Sequence, residues 1–378
     1  MIRGLFFGAL ALHGLIHAMG FVKGFGLADL PQLTQPISRS RGLVWLCAGL
    51  LCLAAAFSGW AWPRGWWLIG LAALVLSQAV IIRSWADAKF GTFINLILLA
   101  GVCHGFAAEG PWGFRAAFRR DAQRMATAGS PAVLTEADLR GLPDVVQRYI
   151  RASGMVGQPR VRNFHATWTG RIRSNPQSPW MPFEAEQFNS IDVPCRFFLM
   201  DARMKGMPVD VYHAFRETGA TMQVRLLSAF PMVDARGPDL TRAETVTLFN
   251  DLCILAPGEL VLPRIAWGSS DARSASAQFT LGPNTVHAEL RFNERDELID
   301  FVSDDRLNLA PDGKSYTQMR WTTPVKDYAK MGPVRVPTKA SVLWHPASGA
   351  FAYGEFELTG LSYNKARDPG GRQNAHRP

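Results

Sequence analysis

The chain has 378 residues, 48% of them hydrophobic, and a formal net charge of +9, which is length enough for about two domains of ~150 residues each. Five cysteines with no C-x-x-C pair argue against a disulfide-dense scaffold or a cysteine zinc site. Basic residues beyond position 160 are interspersed with acidic ones and form no cluster beside stacking aromatics, so no nucleic-acid partner is expected.

The average hides a division. Residues 1–109 hold four long apolar runs, seven basic side chains and three acidic ones, whereas the other 269 residues hold 33 and 28. This predicts a membrane segment followed by a soluble domain, with the surplus charge lying in loops beside anionic headgroups.

The runs Leu5–Val22, Leu43–Trp62, Trp66–Ile82 and Gly91–Ala108 each approach the ~20 residues that cross a ~30 Å hydrocarbon core as a helix. Trp45, Trp60, Trp62, Trp66, Trp67, Trp85 and Trp112 fall at or near their ends, where amphipathic rings favour the headgroup layer. Lys23 and Gly24 follow the first run without a small-residue cleavage site, so it is expected to stay as a span. The first and third loops contain Lys23, Arg39, Arg41, Arg83 and Lys89, the N-terminal tail and second loop only Arg3 and Arg64. The positive-inside bias therefore predicts an integral inner-membrane protein whose soluble domain lies on the periplasmic or extracellular side. Arg115, Arg119, Arg120 and Arg124, just after the fourth run, pull the other way.

Within the first run, "LHGLIHAMGF" sets His13 and His17 four residues apart, on one face of a helix. Ionisable groups at that depth are candidates for function. One reading is a metal or haem site closed by His104, which falls in the same half of the bilayer as His13; a zinc site wants at least three ligands. The other is neutral imidazoles bonding across helices beside Ser77, Gln78 and Asn95. No particular cofactor is fixed by these residues. Gly4, Gly8, Gly14 and Gly20 are expected to let helices approach closely.

Pro111–Ala128 and Thr135–Ala152 read as helices of a connector spanning 110–158, the second opening on the cap-like "LTEADL" with Thr135 and Asp138. From about residue 160 the period falls to two. In "FHATWTGRI", Phe164, Ala166, Trp168, Gly170 and Ile172 alternate with polar neighbours. "VHAELRFN", "KASVLWH" and "GEFELTGL" repeat the pattern, while "ERDE" and "GPN" at 282–284 supply turns. One helix interrupts, Asp239–Leu255, halted by Pro257. The expected fold is α+β: a four-helix transmembrane bundle over 1–109, then over 159–365 a curved antiparallel sheet, half-barrel-like, with a few helices, and a disordered tail at 366–378.

A curved sheet offers a concave apolar face, and Trp168, Phe183, Phe188, Phe198, Trp267, Phe292, Trp321, Trp344 and Phe356 are the side chains expected to line a ligand cavity there. Core filling is the plainer use for each. No G-x-S-x-G, H-E-x-x-H, phosphate-loop or dinucleotide motif is found, so no catalytic residue is assigned. "SDDR" at 303–306 and "VDAR" at 233–236 read as turn or edge salt bridges. Cys195 and Cys253 stand 58 residues apart and are expected to be two unpaired small hydrophobes, a bridge requiring a close backbone approach.

Five stretches, "HGLIHAMGFVKGFGLADLPQLTQPISR", "SWADAKFGTFINLILL", "PWMPFEAEQF", "VDARGPDLTRAETVTLFNDLCILAP" and "LIDFVSDDR", together resemble an uncharacterised bacterial family of four-span membrane proteins with a soluble C-terminal domain. The resemblance implies no activity. At fold level the soluble part is similar to the half-barrel lipoprotein carriers, in which a curved sheet holds acyl chains against a helical lid. The functional expectation is a membrane-anchored binding protein for a lipid, acyl chain or other apolar ligand in the cell envelope, with membrane lipid as its surroundings. A structural module with a fully packed sheet and an envelope protein partner, and an intramembrane metal or haem protein using His13, His17 and His104, stay open beside it.

Overall fold

A computed structural model describes residues 2–126, 130–310 and 315–365, with side chains from residue 4 onward; the tail expected at 366–378 lies outside the described residues. The chain divides into two compact units, Met1–Ala116 and Ala117–Pro378.

The first unit holds helices α1 (Ile2–Gly24), α2 (Arg39–Ala61), α3 (Trp66–Arg83), the single turn α4 (Trp85–Ala88) and α5 (Gly91–Glu109). Among the described residues, four helices are long and apolar enough to cross a membrane, and each begins and ends within a few residues of its apolar run. Their outer faces present Leu12, Phe57, Val75 and Phe93, all exposed, while Ala48, Cys52, Ala55 and Ala73 are fully buried between them. A helix greasy all round suits a hydrocarbon surrounding on one side and close neighbours on the other. The glycine expectation holds only in part. A Cβ on Gly14 would stand 2.9 Å from the carbonyl oxygen of Gly49, and one on Gly20 would overlap Trp45, whereas Gly4 and Gly8 have nothing within 4 Å. Gly4 and Gly8 lie on an exposed face of α1, while Phe7 presses on Gly59 of α2.

The second unit is dominated by one antiparallel sheet. Its strands are β1 (Asn163–Ile172), β2 (Met181–Ser190), β3 (Cys195–Met204), β4 (Met207–Arg216), β5 (Gly219–Leu226) and β6 (Phe230–Arg236). After a helix come β7 (Ile265–Ser270), β8 (Ser274–Leu281), β9 (Asn284–Phe292), β10 (Leu298–Ser303), and the small hairpin β11 (Leu307–Leu309) and β12 (Tyr316–Gln318). The chain ends through β13 (Trp321–Thr322), β14 (Val325–Met331), β15 (Val334–Trp344) and β16 (Phe351–Tyr363). The order is β6-β5-β4-β3-β2-β1-β16-β15-β13-β10-β9-β8-β7, with β14 on β15. Strands β1 and β16 pair at the centre, so the last long strand closes the gap between two meanders.

Among the described residues three α-helices accompany the sheet: α6 (Phe114–Met125), α7 (Asp144–Ala152) and α8 (Pro238–Leu255). The helix expected from Thr135 is broken. Thr135 and Asp138 do form a capping box, but over a single 3-10 turn, Glu136–Leu139; Gly141 then takes φ +86°, and Pro143 disfavours helical backbone in the residue before it. Val145, Val146, Tyr149 and Ile150 of α7 join the same core as the sheet.

Helix α8 shows that the sheet is curved. It packs on β5 and β6 and also on β9 and β10, and in the strand order β5 and β9 are nine places apart. A flat sheet would put those strands ~40 Å apart, against a helix about 10 Å wide, so the sheet must wrap around it. The wrap stays open, because the edge strands β6 and β7 do not pair with each other. Every residue of α8 from Ala243 to Leu255 is buried.

Candidate functional site

The two faces of the sheet have separate tasks. Inward, Phe164, Ala166 and Trp168 of β1, Phe183 and Ala185 of β2, and Phe198 and Met200 of β3 share one core with Phe249, Leu252 and Ile254 of α8. Phe249 stacks on Phe279 at 4.9 Å between ring centres. Outward, Phe188, Phe197, Leu199 and Tyr212 are buried as well. Over this outer face Tyr212 donates to the Asp121 carboxylate of α6 at 2.6 Å, and Arg216 also pairs with Asp121.

Between α8 and the inner face lies a cavity of about 150 Å³. Of the nine aromatic residues expected to line it, Trp168, Phe198, Trp321 and Phe356 do so. The other five lie elsewhere. Phe188 points to the outer face, since it stands five residues from Phe183 on a regular strand and alternation separates them. Phe183 packs behind Phe356 at 5.0 Å, Phe292 against Tyr149 of α7 at 5.4 Å, and Trp344 is stacked on Tyr353 at 5.6 Å. Trp267, half-buried near the β7 edge, borders the core rather than the cavity.

What sequence reading missed is the polar half of the lining. Arg196, Glu244, Asp251 and Arg306 all face the cavity with His213, Asn250, Thr247 and Thr323. Oδ2 of Asp251 accepts from Arg196 Nε at 2.7 Å, from Gln187 Nε2 at 2.7 Å and from Asn189 Nδ2 at 3.2 Å. Trp168 donates its indole N–H to Gln187 Oε1 at 3.1 Å, so an aromatic ring is held by the same network. Glu244 lies 3.4 Å from Arg196, 3.5 Å from Arg306 and 3.7 Å from His213. Arg306 donates to the Ala243 carbonyl at 2.7 Å and to Thr247 Oγ1, with its guanidinium 4.7 Å above the Trp321 ring.

Burial pulls both carboxyls upward, with opposite outcomes. Burial alone would raise Glu244, but His213, Arg306 and Arg196 outweigh it and hold the group well below the ordinary carboxylate range. For Asp251 burial wins over Arg196 and the group moves up.

A second feature of this site is what it leaves unbonded. Arg306 Nε, Asn250 Oδ1, Thr323 Oγ1 and His213 Nδ1 are buried without a hydrogen bond, and all four residues line the cavity. Buried polar atoms are bonded in the great majority of cases, and these four stand around one space.

The "SDDR" expectation is corrected here. Asp304 pairs with Arg320 at 2.8 Å on the surface and Asp305 with Arg242 at 2.6 Å, but Arg306 turns inward to the cavity. "VDAR" supplies an exposed edge pair, Asp234 with Arg236 at 2.7 Å. Cys195 and Cys253 are free and buried, and burial pushes the Cys195 thiol up to about 12.

In the bundle, His13 Nε2 and His17 Nε2 lie 3.0 and 2.9 Å from Ser77 Oγ. Ser77 donates its one proton to Asn95 Oδ1 at 3.0 Å, so it accepts from both imidazoles, each then carrying its proton on Nε2. Asn95 donates on to Gln78 at 2.9 Å. Among the described residues no three His, Cys, Asp or Glu side chains are grouped for a metal. His104 is on an exposed face of α5; it stands nine positions after the inward Asn95, about two and a half turns at ~100° per residue, which puts it on the opposite face.

Residues 132–356 match the family of unknown function DUF6544. The chain belongs to that family. Every residue lining the cavity falls inside this DUF6544 stretch. No protein of curated function matches the chain in sequence. Among solved structures, a domain named for outer membrane lipoprotein sorting from Vibrio parahaemolyticus is 10% identical with a TM-score of 0.36, covering 61% of this chain and 93% of its own. A DUF1329 family protein from Desulfovibrio piger is 12% identical with a TM-score of 0.34, covering 65% and 97%. Both scores lie below 0.5, and neither likeness bears on what DUF6544 proteins bind.

Proposed function

We propose that this chain is a membrane-anchored binding protein of the cell envelope, which holds a small apolar or amphipathic molecule, or the end of an acyl chain, between α8 and the concave sheet. One observation carries the reading: a cavity of about 150 Å³ into which aromatic rings and four polar residues with unbonded buried atoms face together. Ligand pockets combine a mainly apolar wall with a few convergent polar groups, whereas a sheet serving only as a packed support has no reason to strand polar atoms around an unfilled space. The four apolar helices supply the anchor.

Native mass spectrometry of the full chain released from nanodiscs tests this. A bound small molecule is expected, and it is expected to vanish in Ala340→Phe, which fills the cavity from β15. A chain that carries nothing, and whose Ala340→Phe variant gains stability as a better-packed core would, overturns the reading in favour of a structural module.

A further inference from the structure

Two arginines in a greasy cavity invite an anion, and the charge balance of the site argues against one. Arg196 and Arg306 face Glu244 and Asp251, with His213 3.7 Å from Glu244, so each guanidinium already has an acidic partner. The counter-charges are already built in, on α8. An ionic ligand would have to leave water for a space with no uncompensated partner, and its desolvation would go unrepaid. An uncharged ligand incurs no such cost. The unbonded atoms then say what its polar end must offer. Arg306 Nε is a donor, Asn250 Oδ1 an acceptor, and Thr323 Oγ1 can serve as either. A group that accepts from Arg306 and donates to Asn250 satisfies both, as an amide or a hydroxyl does. The rest of the wall, Trp168, Phe198, Trp321 and Phe356, suits an apolar body, and a cavity near this volume accommodates one benzene-sized ring.

We infer that the cavity takes an uncharged amphiphile of about one ring in size, whose polar end both accepts and donates a hydrogen bond. This rests on the binding role proposed above and adds the chemical class of the ligand.

Equilibrium dialysis against the full chain in nanodiscs, with empty nanodiscs as blank, compares four probes: benzamide, benzoate, benzylammonium and toluene. Benzamide is expected to bind at least tenfold more tightly than either ion. Asn250→Leu and Thr323→Val are each expected to weaken benzamide several-fold while leaving toluene unchanged, which also reports that the variant is folded. Benzoate or benzylammonium binding as well as benzamide overturns the inference and leaves the binding role standing. Toluene binding alone has the same effect, because it removes the polar requirement. If none of the four binds, the inference falls, and native mass spectrometry with Ala340→Phe decides the binding role separately.

Discussion

Asp300 on β10 is a carboxylate the fold would sooner keep protonated. Burial pushes it up to about 6, more than Arg291 beside it pulls it down, and its Oδ1 lacks a hydrogen bond. A raised folded value means that the proton stabilises the fold: the contribution is complete below the ordinary value of 3.8 and is lost as pH rises through about 6. Asp300→Asn keeps the shape without the charge. It is expected to stabilise the full chain by on the order of 1 kcal/mol at pH 7.5, after allowance for solvent screening, and to give almost no gain at about pH 3, below the ordinary value, as thermal unfolding at the two values would show. Glu244 has the opposite sign. Its folded value is depressed, so its contribution is present above its ordinary 4.5 and is lost as pH falls through the folded value. Glu244→Gln strips a counter-charge from Arg196 and Arg306 and should cost about 3 kcal/mol at neutral pH, read from the denaturant midpoint; a loss below about 0.5 kcal/mol would mean that solvent already screens the cluster.

At the scale of elements, the α1–α2 crossing rests on two glycines. A Cβ on Gly49 would come within 2.6 Å of the Gly14 carbonyl oxygen and 3.2 Å of His17 Cβ, and backbone cannot yield as a side chain can. Gly49→Val should therefore destabilise the bundle by about 1–3 kcal/mol, measured by loss of helical circular dichroism on heating. Gly8→Val, with nothing within 4 Å of its Cβ, should be close to neutral by the same measurement. Ser77→Ala removes the hub shared by α1, α3 and α5 and should cost about 1–2 kcal/mol, since polar contacts between spans are modest singly. Helix α8 carries its own polar stripe, Glu244, Thr247 and Asp251, at the spacing that ordinarily marks a wet face. The sheet closes over that stripe, so the same spacing here lines a cavity.

For the whole molecule, the loop charges predict which side of the membrane the sheet domain occupies. Lys23, Arg39, Arg41, Arg83 and Lys89 lie in or beside the first and third connections, and the positive-inside bias predicts both ends of the chain on the opposite, outer side. Alkaline phosphatase fused after Pro378 should be active and a fluorescent-protein fusion dark; a bright fluorescent fusion with inactive phosphatase would reverse the assignment. With that orientation Cys195 and Cys253 would meet an oxidising compartment, and alkylation after denaturation without reductant should still find both as thiols, since both are buried and burial raises them.

Much of the architecture is written in local periodicity. The four apolar runs, the shift to a two-residue period near 160, the turns at "ERDE" and "GPN" and the helix ending before Pro257 are local facts, because span length, alternation and backbone breaking each act within a few residues. Parity along β2 would even have separated Phe183 from Phe188. The polar half of the site was not legible in this way. Arg196, Glu244, Asp251 and Arg306 come from β3, from α8 and from the turn after β10, and nothing in their own neighbourhoods distinguishes them from surface charges. Whether such a charge meets water or a counter-charge depends on how the sheet curls around α8, and that curvature is set by contacts between residues far apart in the chain. Sequence alone determined the elements and their greasy faces; the tertiary structure decided which polar groups they enclose, because burial is a property of the assembled fold.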